Sequence, residues 1–230
     1  MSKKTIIISA AIFLILVAGG FVAYQKGYFL KKAETLTPEK LLASFDIKNQ
    51  NLKPDFIALF QQRFNETKEI LQKEPDNFDK WLYLGVLKKG VGDYEGARDI
   101  FIYVGEIRPN NSTSFSNLAD IYAYFLNEPQ KAEQAIKQAI ANDPNDSNFY
   151  LVLADIYRYK FIDGAVLYEK TMLEALQKFP DNTNFIGPLA SFYRQQGQPQ
   201  KAIEYYELLV KLAPNNQTAK DDLAKLKAGN

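Results

Sequence analysis

Apolar residues recur at three- and four-residue steps along most of the chain. Phe115, Leu118, Ala119, Ile121 and Tyr122 are one example. Further along each such segment, apolar residues lie four apart, as in the pairs Ala97/Phe101, Ala132/Ile136 and Ala202/Tyr206. Residues with these spacings share one face of an α-helix. The pattern therefore predicts an all-α protein.

A fixed period underlies the helical pattern. Five prolines are each followed by two Asn or Asp residues and lie 34, 35, 36 and 34 residues apart: Pro75, Pro109, Pro144, Pro180 and Pro214. A second column, a Leu followed by Gly or Ala, begins at Leu84 and advances by the same four intervals. Two landmarks that advance together indicate a structural repeat.

Each period is predicted to be a helix–turn–helix unit. Proline ends a helix because it has no N–H, and the Asn or Asp after it can cap the next helix. A helix-breaking segment, 90–93 in the first unit, divides each period in two. We expect an α-solenoid of about four hairpins, 78–111, 112–146, 147–182 and 183–216, with a capping helix in 54–77 and another in 217–230.

The first unit resembles the tetratricopeptide repeat. The family pattern of Trp, Leu-Gly, Tyr, Ala, Phe and Pro is met by Trp81, Leu84, Gly85, Ala97, Phe101 and Pro109. Lys88 stands where the family has Tyr, whereas the later units restore an aromatic there as Tyr122, Tyr157 and Tyr193. The resemblance covers 78–216 and implies stacked hairpins with an inner groove.

Three departures predict local irregularity. The second unit has one extra residue and the third has two. Tyr168 replaces the family Ala of the third unit, so we expect a splayed helix pair or a lengthened turn there. Pro188 lies early in a predicted helix of the fourth unit, where its missing N–H could kink that helix.

The N-terminal segment is uncharged and apolar from residue 5 to residue 24. Twenty helical residues span about 30 Å, the thickness of a bilayer's hydrocarbon core. We therefore expect a short tail at 1–4, one transmembrane helix at 5–24, and a tether with a short helix at 25–53. The body would be held at the cell membrane by this single pass.

A cleaved secretory signal is the alternative for this segment, with small residues at Ala18, Gly19 and Gly20 as the cleavage site. The chain would then be a soluble exported binding module. Lys3 and Lys4 precede the apolar run like the start of an export signal. We therefore expect the N-terminus in the cytoplasm and the repeats outside it.

Composition excludes several kinds of chemistry. The chain has no Cys and no His, which removes thiolate nucleophiles, Ser-His-Asp triads and the usual zinc ligands. Residues 1–32 carry five lysines and no acid, so the rest of the chain has a net charge of −4. Such a body does not attract phosphate backbones. We expect no enzyme activity, no cofactor, no metal and no nucleic acid.

The resemblance implies that the first helix of each hairpin lines the binding groove. Position by position, the implied groove residues are Leu82, Tyr83, Val86, Lys89, Asn117, Asp120, Tyr124, Asn148, Leu151, Val152, Asp155, Arg158, Tyr159, Asn184, Ser191, Arg194 and Gln195. The tyrosines would supply flat apolar contacts, Asn117 and Asn148 would bond an extended backbone, and the arginines would hold a carboxylate. Alternatively, some of these side chains pack between hairpins.

Family members that clamp the carboxylate of a chaperone tail use Lys and Asn in the first unit and Lys or Arg in the third. The matching positions here are Leu82, Val86, Asn148 and Val152, and only Asn117 in the second unit fits. A chaperone-tail clamp is therefore disfavoured. The function expected is that of a membrane-anchored protein–protein interaction scaffold, in secretion or envelope assembly, which binds a peptide or helix of a partner protein.

Overall fold

The structure, a computed structural model, describes residues 36–229. The chain divides into two units between Lys40 and Leu41, so the first unit contributes only 36–40 to the described part. The predicted tail at 1–4 and transmembrane helix at 5–24 lie outside the described residues. None of the helices within 36–229 combines the length and apolar character that crossing a membrane requires.

The described residues form eleven α-helices and no β-strand. They are α1 (Pro38–Leu41), α2 (Pro54–Lys73), α3 (Phe78–Gly90), α4 (Tyr94–Ile107), α5 (Thr113–Asp120), α6 (Pro129–Asn142), α7 (Ser147–Lys160), α8 (Ala165–Lys178), α9 (Thr183–Gln195), α10 (Pro199–Leu212) and α11 (Gln217–Lys227). A π-helical turn, Ile121–Phe125, continues α5. The prediction of an all-α fold is confirmed for this part of the chain.

From α2 onward, each helix packs mainly against the helices before and after it. Helices α3 and α4 occupy the predicted unit 78–111, and each later unit likewise contains two helices. Helices α2 and α11 pack on the first and last hairpins, in the ranges predicted for capping helices. This sequential packing is that of an α-solenoid.

The second residue after each repeat proline caps the helix that follows. Its side-chain oxygen accepts a backbone N–H at 2.8–3.2 Å in all five cases: Asn77, Asn111, Asp146, Asn182 and Asn216. The cap satisfies an N–H that has no partner inside the helix. The recurring proline and Asn or Asp column therefore fixes where each first helix begins.

Close approach within the first hairpin depends on Gly85. A Cβ atom there would lie 2.6 Å from the ring of Phe101, which is fully buried. Trp81, also fully buried, donates its indole N–H to the carbonyl of Pro75 at 2.8 Å. The Leu-Gly column thus brings α3 against α4.

Two buried tyrosines link hairpins to one another. Tyr157 on α7 donates its hydroxyl to Glu133 on α6 at 2.7 Å, and Tyr193 on α9 donates to Glu169 on α8 at 2.7 Å. Both occupy the aromatic column of the repeat. Each therefore joins the first helix of one hairpin to the second helix of the hairpin before it.

The extra residues are accommodated locally. The single extra residue of the second unit lies in the π-helical turn, where the N–H of Leu126 bonds the carbonyl of Ile121 at 3.0 Å. A π turn is a one-residue insertion into an α-helix. The two extra residues of the third unit lengthen the turn at 161–164, and Tyr168 is 1% exposed at the Ala position. Helix α9 continues through Pro188.

The N-terminal part differs from the prediction in detail. The short helix predicted within 25–53 is α1, which has only four residues, Pro38–Leu41. Residues predicted as tether contact the first hairpin, because the N–H groups of Lys48 and Asn49 both bond the carbonyl of Val91. On α2, Phe64 is buried, whereas Phe56 is 52% exposed.

Candidate functional site

The seventeen predicted groove residues lie on the first helices of the hairpins: α3, α5 with its π-helical turn, α7 and α9. None of them is buried. Four large apolar or aromatic side chains stand out in successive repeats, with exposed fractions of 38% for Tyr83, 50% for Val86, 44% for Tyr124 and 64% for Tyr159. We call these seventeen residues the first-helix face.

Polar contacts connect neighbouring first helices along this face. Lys89 on α3 forms an ion pair with Asp120 on α5 at 2.5 Å. The Nζ atom of Lys160 on α7 lies 4.7 Å from the centre of the Tyr124 ring. Three of the predicted groove residues, Lys89, Asp120 and Tyr124, therefore form contacts between consecutive hairpins.

The two arginines predicted to hold a ligand carboxylate are engaged inside the protein. Arg194 pairs with Asp222 on α11 at 2.9 Å. Arg158 donates to the Tyr168 hydroxyl at 3.3 Å and to Oε1 of Gln195 at 2.6 Å. Sequence spacing could not reveal this, because these partners come from other helices. Their guanidinium groups therefore act first as links between helices.

The two asparagines predicted to bind a peptide backbone have local partners. The amide nitrogen of Asn117 donates to the carbonyl of Thr113 at 2.9 Å, and that of Asn148 donates to Asp146 at 2.9 Å. Asn148 is exposed and Asn117 is partly exposed. Binding a peptide through these amide nitrogens would require exchange of a local hydrogen bond.

A pocket of about 360 Å³ opens where α7, α8 and α9 meet. It is lined by Leu151, Asp155, Tyr168, Met172, Thr183, Asn184 and Pro188, and we call it the α7–α9 pocket. Three of its residues, Leu151, Asp155 and Asn184, belong to the first-helix face. The sequence marked Tyr168 and Pro188 as irregular but gave no sign that they border one cavity.

The carboxyl group of Asp155 has a raised pKa. Partial burial raises it, and the positive charge of Arg158 opposes part of that effect. Within the described residues, no donor or cation lies at hydrogen-bond or ion-pair distance from this carboxylate. Asp155 therefore lines the pocket as an acceptor without a direct polar partner among residues 36–229.

Two further surface features lie outside the predicted set. A cavity of about 630 Å³ lies between the start of α3 and the turn after α4, lined by Phe78, Asp79 and residues 107–111. Around the lengthened turn at 161–164, Ile162 is 95% exposed and Val166 is 73% exposed. The helical periodicity did not predict either feature.

Comparison with known proteins identifies the repeats. The tetratricopeptide-repeat family matches residues 114–147 and 189–216. The chain contains tetratricopeptide repeats. It is 31% identical over 161 residues to human interferon-induced protein with tetratricopeptide repeats 2, and the match covers 67% of this chain and 33% of the human protein. The chain thus spans about a third of that relative's length.

Two solved structures share the fold. YrrB, described as a TPR protein with an unusual peptide-binding site, is 11% identical with a TM-score of 0.53, covering 70% of this chain and 82% of YrrB. PilW, described as a widely conserved type IV pilus biogenesis factor, is 18% identical with a TM-score of 0.55, covering 74% of this chain and 79% of PilW. At these identities the likeness concerns the fold alone.

Proposed function

We propose that this tetratricopeptide-repeat chain is a protein–protein interaction scaffold that binds a peptide or helix of a partner protein along the first-helix face. One observation carries the proposal: Tyr83, Val86, Tyr124 and Tyr159 expose apolar surface on that face in three consecutive repeats. Aromatic side chains supply much of the binding energy in protein interfaces. The face has no catalytic role in this proposal.

The contacts between first helices support this function. The ion pair Lys89–Asp120 links the first helices of two successive hairpins, and Arg194–Asp222 links the last first helix to the capping helix α11. A rigid face loses less conformational entropy on binding than a flexible one. The description of YrrB as peptide-binding agrees with a fold of this kind presenting a peptide site.

We further propose that residues 5–24 anchor the chain in the cell membrane and that the repeats work outside the cytoplasm, in secretion or envelope assembly. The twenty uncharged residues support the anchor. PilW, with a similar fold, is described as a pilus biogenesis factor, which agrees with a role in the envelope. The alternative is cleavage near Gly20 and release of a soluble binding module.

Site-specific photocrosslinking in cells tests the binding face. A photoreactive phenylalanine derivative replaces Tyr83 or Tyr159 on the face, or, as controls, Gln134 or Gln177 on exposed sides of second helices. The proposal expects one and the same protein to be captured from Tyr83 and Tyr159 and not from the controls. Capture from the control positions alone would contradict it.

Two measurements test the anchor. The intact mass of the mature chain shows whether residues 1–20 are present, and protease added to intact cells shows whether the repeats are accessible from outside. The proposal expects a full-length chain in the membrane fraction. A mature chain without residues 1–20 would favour the soluble alternative and leave the binding-face proposal standing.

A further inference from the structure

We propose that the α7–α9 pocket takes a lysine side chain from the segment bound on the first-helix face. This inference rests on the proposed function and adds the kind of residue that the partner must carry. It depends on three properties of the pocket among residues 36–229: an apolar interior, a carboxylate without a direct partner, and a lining that includes no cation.

The interior of the pocket suits an aliphatic chain. Tyr168 and Met172 are each 1% exposed, so they form its inner end, and Leu151 and Pro188 add apolar surface nearer the solvent. Its volume of about 360 Å³ lies at the small end of ligand pockets, which hold about 300–1,000 Å³. One long side chain fits such a space, and the methylene groups of lysine bury readily against apolar walls.

The carboxylate of Asp155 in the pocket lining can form an ion pair with a cationic ligand group. Two other carboxylates beside first helices are paired, Asp120 with Lys89 and Asp222 with Arg194. Asp155 lies on the same face without such a partner among residues 36–229. Partial desolvation raises the pKa of its carboxyl group although the residue is exposed to solvent, and a bound ammonium group would favour the ionised form.

Pro188 leaves one backbone carbonyl of α9 without its usual helical donor. Since proline has no N–H, position 188 does not bond the carbonyl of Asn184 four residues earlier in α9. Asn184 also lines the pocket. A lysine ammonium group has three donors, so it can bond the Asp155 carboxylate and still donate to a further acceptor of the pocket.

An acidic ligand fits this pocket less well. Arg158 is the cation whose charge acts on Asp155, but it does not line the pocket, and two of its five N–H donors already bond Tyr168 and Gln195. A ligand carboxylate in the pocket would approach the negative charge of Asp155, the one charged residue in the pocket lining. The charges at the pocket therefore select a basic side chain over an acidic one.

Methionine labelling gives a direct test in the full-length chain. The chain has two methionines, and Met172 is the one that lines the pocket. Its isotope-labelled methyl group is observed by NMR, with Met172→Leu assigning the signal. The protein is titrated with Nα-acetyl-lysine N-methylamide and, as controls, with the equivalent norleucine and glutamate derivatives.

The lysine derivative should shift the Met172 signal saturably and bind more tightly than the norleucine derivative, while the glutamate derivative binds least. Asp155→Asn should weaken lysine binding roughly threefold to tenfold, the range for a partly exposed charged contact. Asp181→Asn, which removes an exposed carboxylate outside the pocket, should leave the affinity for the lysine derivative unchanged.

The inference is overturned if norleucine binds as well as lysine, if Asp155→Asn has no effect, or if the lysine derivative leaves the Met172 signal in place. Photocrosslinking from Tyr83 separates this failure from failure of the proposed function. If a partner is still captured there, the first-helix face stands and only the lysine subsite is wrong. If no partner is captured, both are wrong.

Discussion

The Nζ atom of Lys88 lies 3.1 Å from Oδ2 of Asp93, and both side chains are buried. The same ammonium group donates to the carbonyl of Ser44 at 2.9 Å, and Lys48 approaches Asp93 from the other side at 2.8 Å. Lys88 occupies the position that holds a tyrosine in the later repeats. In the first repeat, this position therefore anchors the preceding segment to the hairpin.

Replacing Lys88 by methionine should destabilise the protein by about 2–4 kcal/mol. The change leaves the carbonyl of Ser44 without this donor and removes one partner of a buried carboxylate, and breaking a buried ion pair from one side is costly. Denaturant unfolding followed by far-UV circular dichroism measures the loss. Lys211→Met, at an exposed position on α10, is the matched control and should have little effect.

The contribution of Asp93 to stability should depend on pH. Burial raises the pKa of Asp93, but hydrogen bonds from Lys48 and Lys88 outweigh that effect, so the pKa lies below its ordinary value. A carboxylate with a lowered folded pKa adds stability that is complete above its unfolded pKa of about 3.9 and declines as the pH falls further.

The comparison variant is Asp93→Asn, because asparagine can still accept the backbone N–H of Gly96 that Asp93 caps. The difference in unfolding free energy between wild type and variant should be constant from neutral pH to about pH 5 and narrow below about pH 4. A difference that widens as the solution is acidified would contradict the ion-pair account.

Two Gly→Ala substitutions should change the stability of the protein in opposite directions. A Cβ on Gly85 would meet the buried ring of Phe101 at 2.6 Å, so Gly85→Ala should cost about 1–3 kcal/mol. A Cβ on Gly187 would lie 3.5 Å from Leu209, an ordinary contact, so Gly187→Ala should stabilise α9 by about 0.5–1 kcal/mol. Thermal unfolding of both variants checks the signs, and equal effects would refute the role of Gly85 in close packing.

The ion pair between Arg194 and Asp222 should contribute little to stability. The Arg194 side chain is 41% exposed, and exposed pairs are worth less than about 1 kcal/mol. Arg194→Met should therefore lower the unfolding free energy far less than Lys88→Met under the same conditions. A loss as large as that of Lys88→Met would show that the pair fixes α11 more strongly than its exposure suggests.

Local chemistry made several features predictable from the sequence. The five caps follow from Asn or Asp placed after proline, because the cap and the helix it serves are neighbours in the chain. The extra residue of the second repeat could be counted in the sequence. Its form as a π-helical turn could not, because a longer loop would satisfy the same count.

Contacts between distant residues limited what the sequence could predict. Lys88 was visible as a departure from the repeat, but its bond to Ser44 joins residues 44 positions apart. Arg158 has the chemistry to hold a carboxylate, and only the structure shows that Tyr168 and Gln195 already engage it. The pocket beside Asp155 likewise requires three helices to be placed together.

The central claim is that the first-helix face binds a protein partner, and a binding measurement on the face tests it most directly. The partner identified by crosslinking is titrated by calorimetry against wild type, against the double variant Val86→Lys/Tyr159→Lys, and against the control Gln134→Lys/Gln177→Lys. All four substituted positions are exposed, so the fold should persist in each variant, as circular dichroism verifies. The account predicts at least about a tenfold weaker affinity for the face variant alone. Unchanged affinity for that variant, or equal weakening by the control, would contradict it.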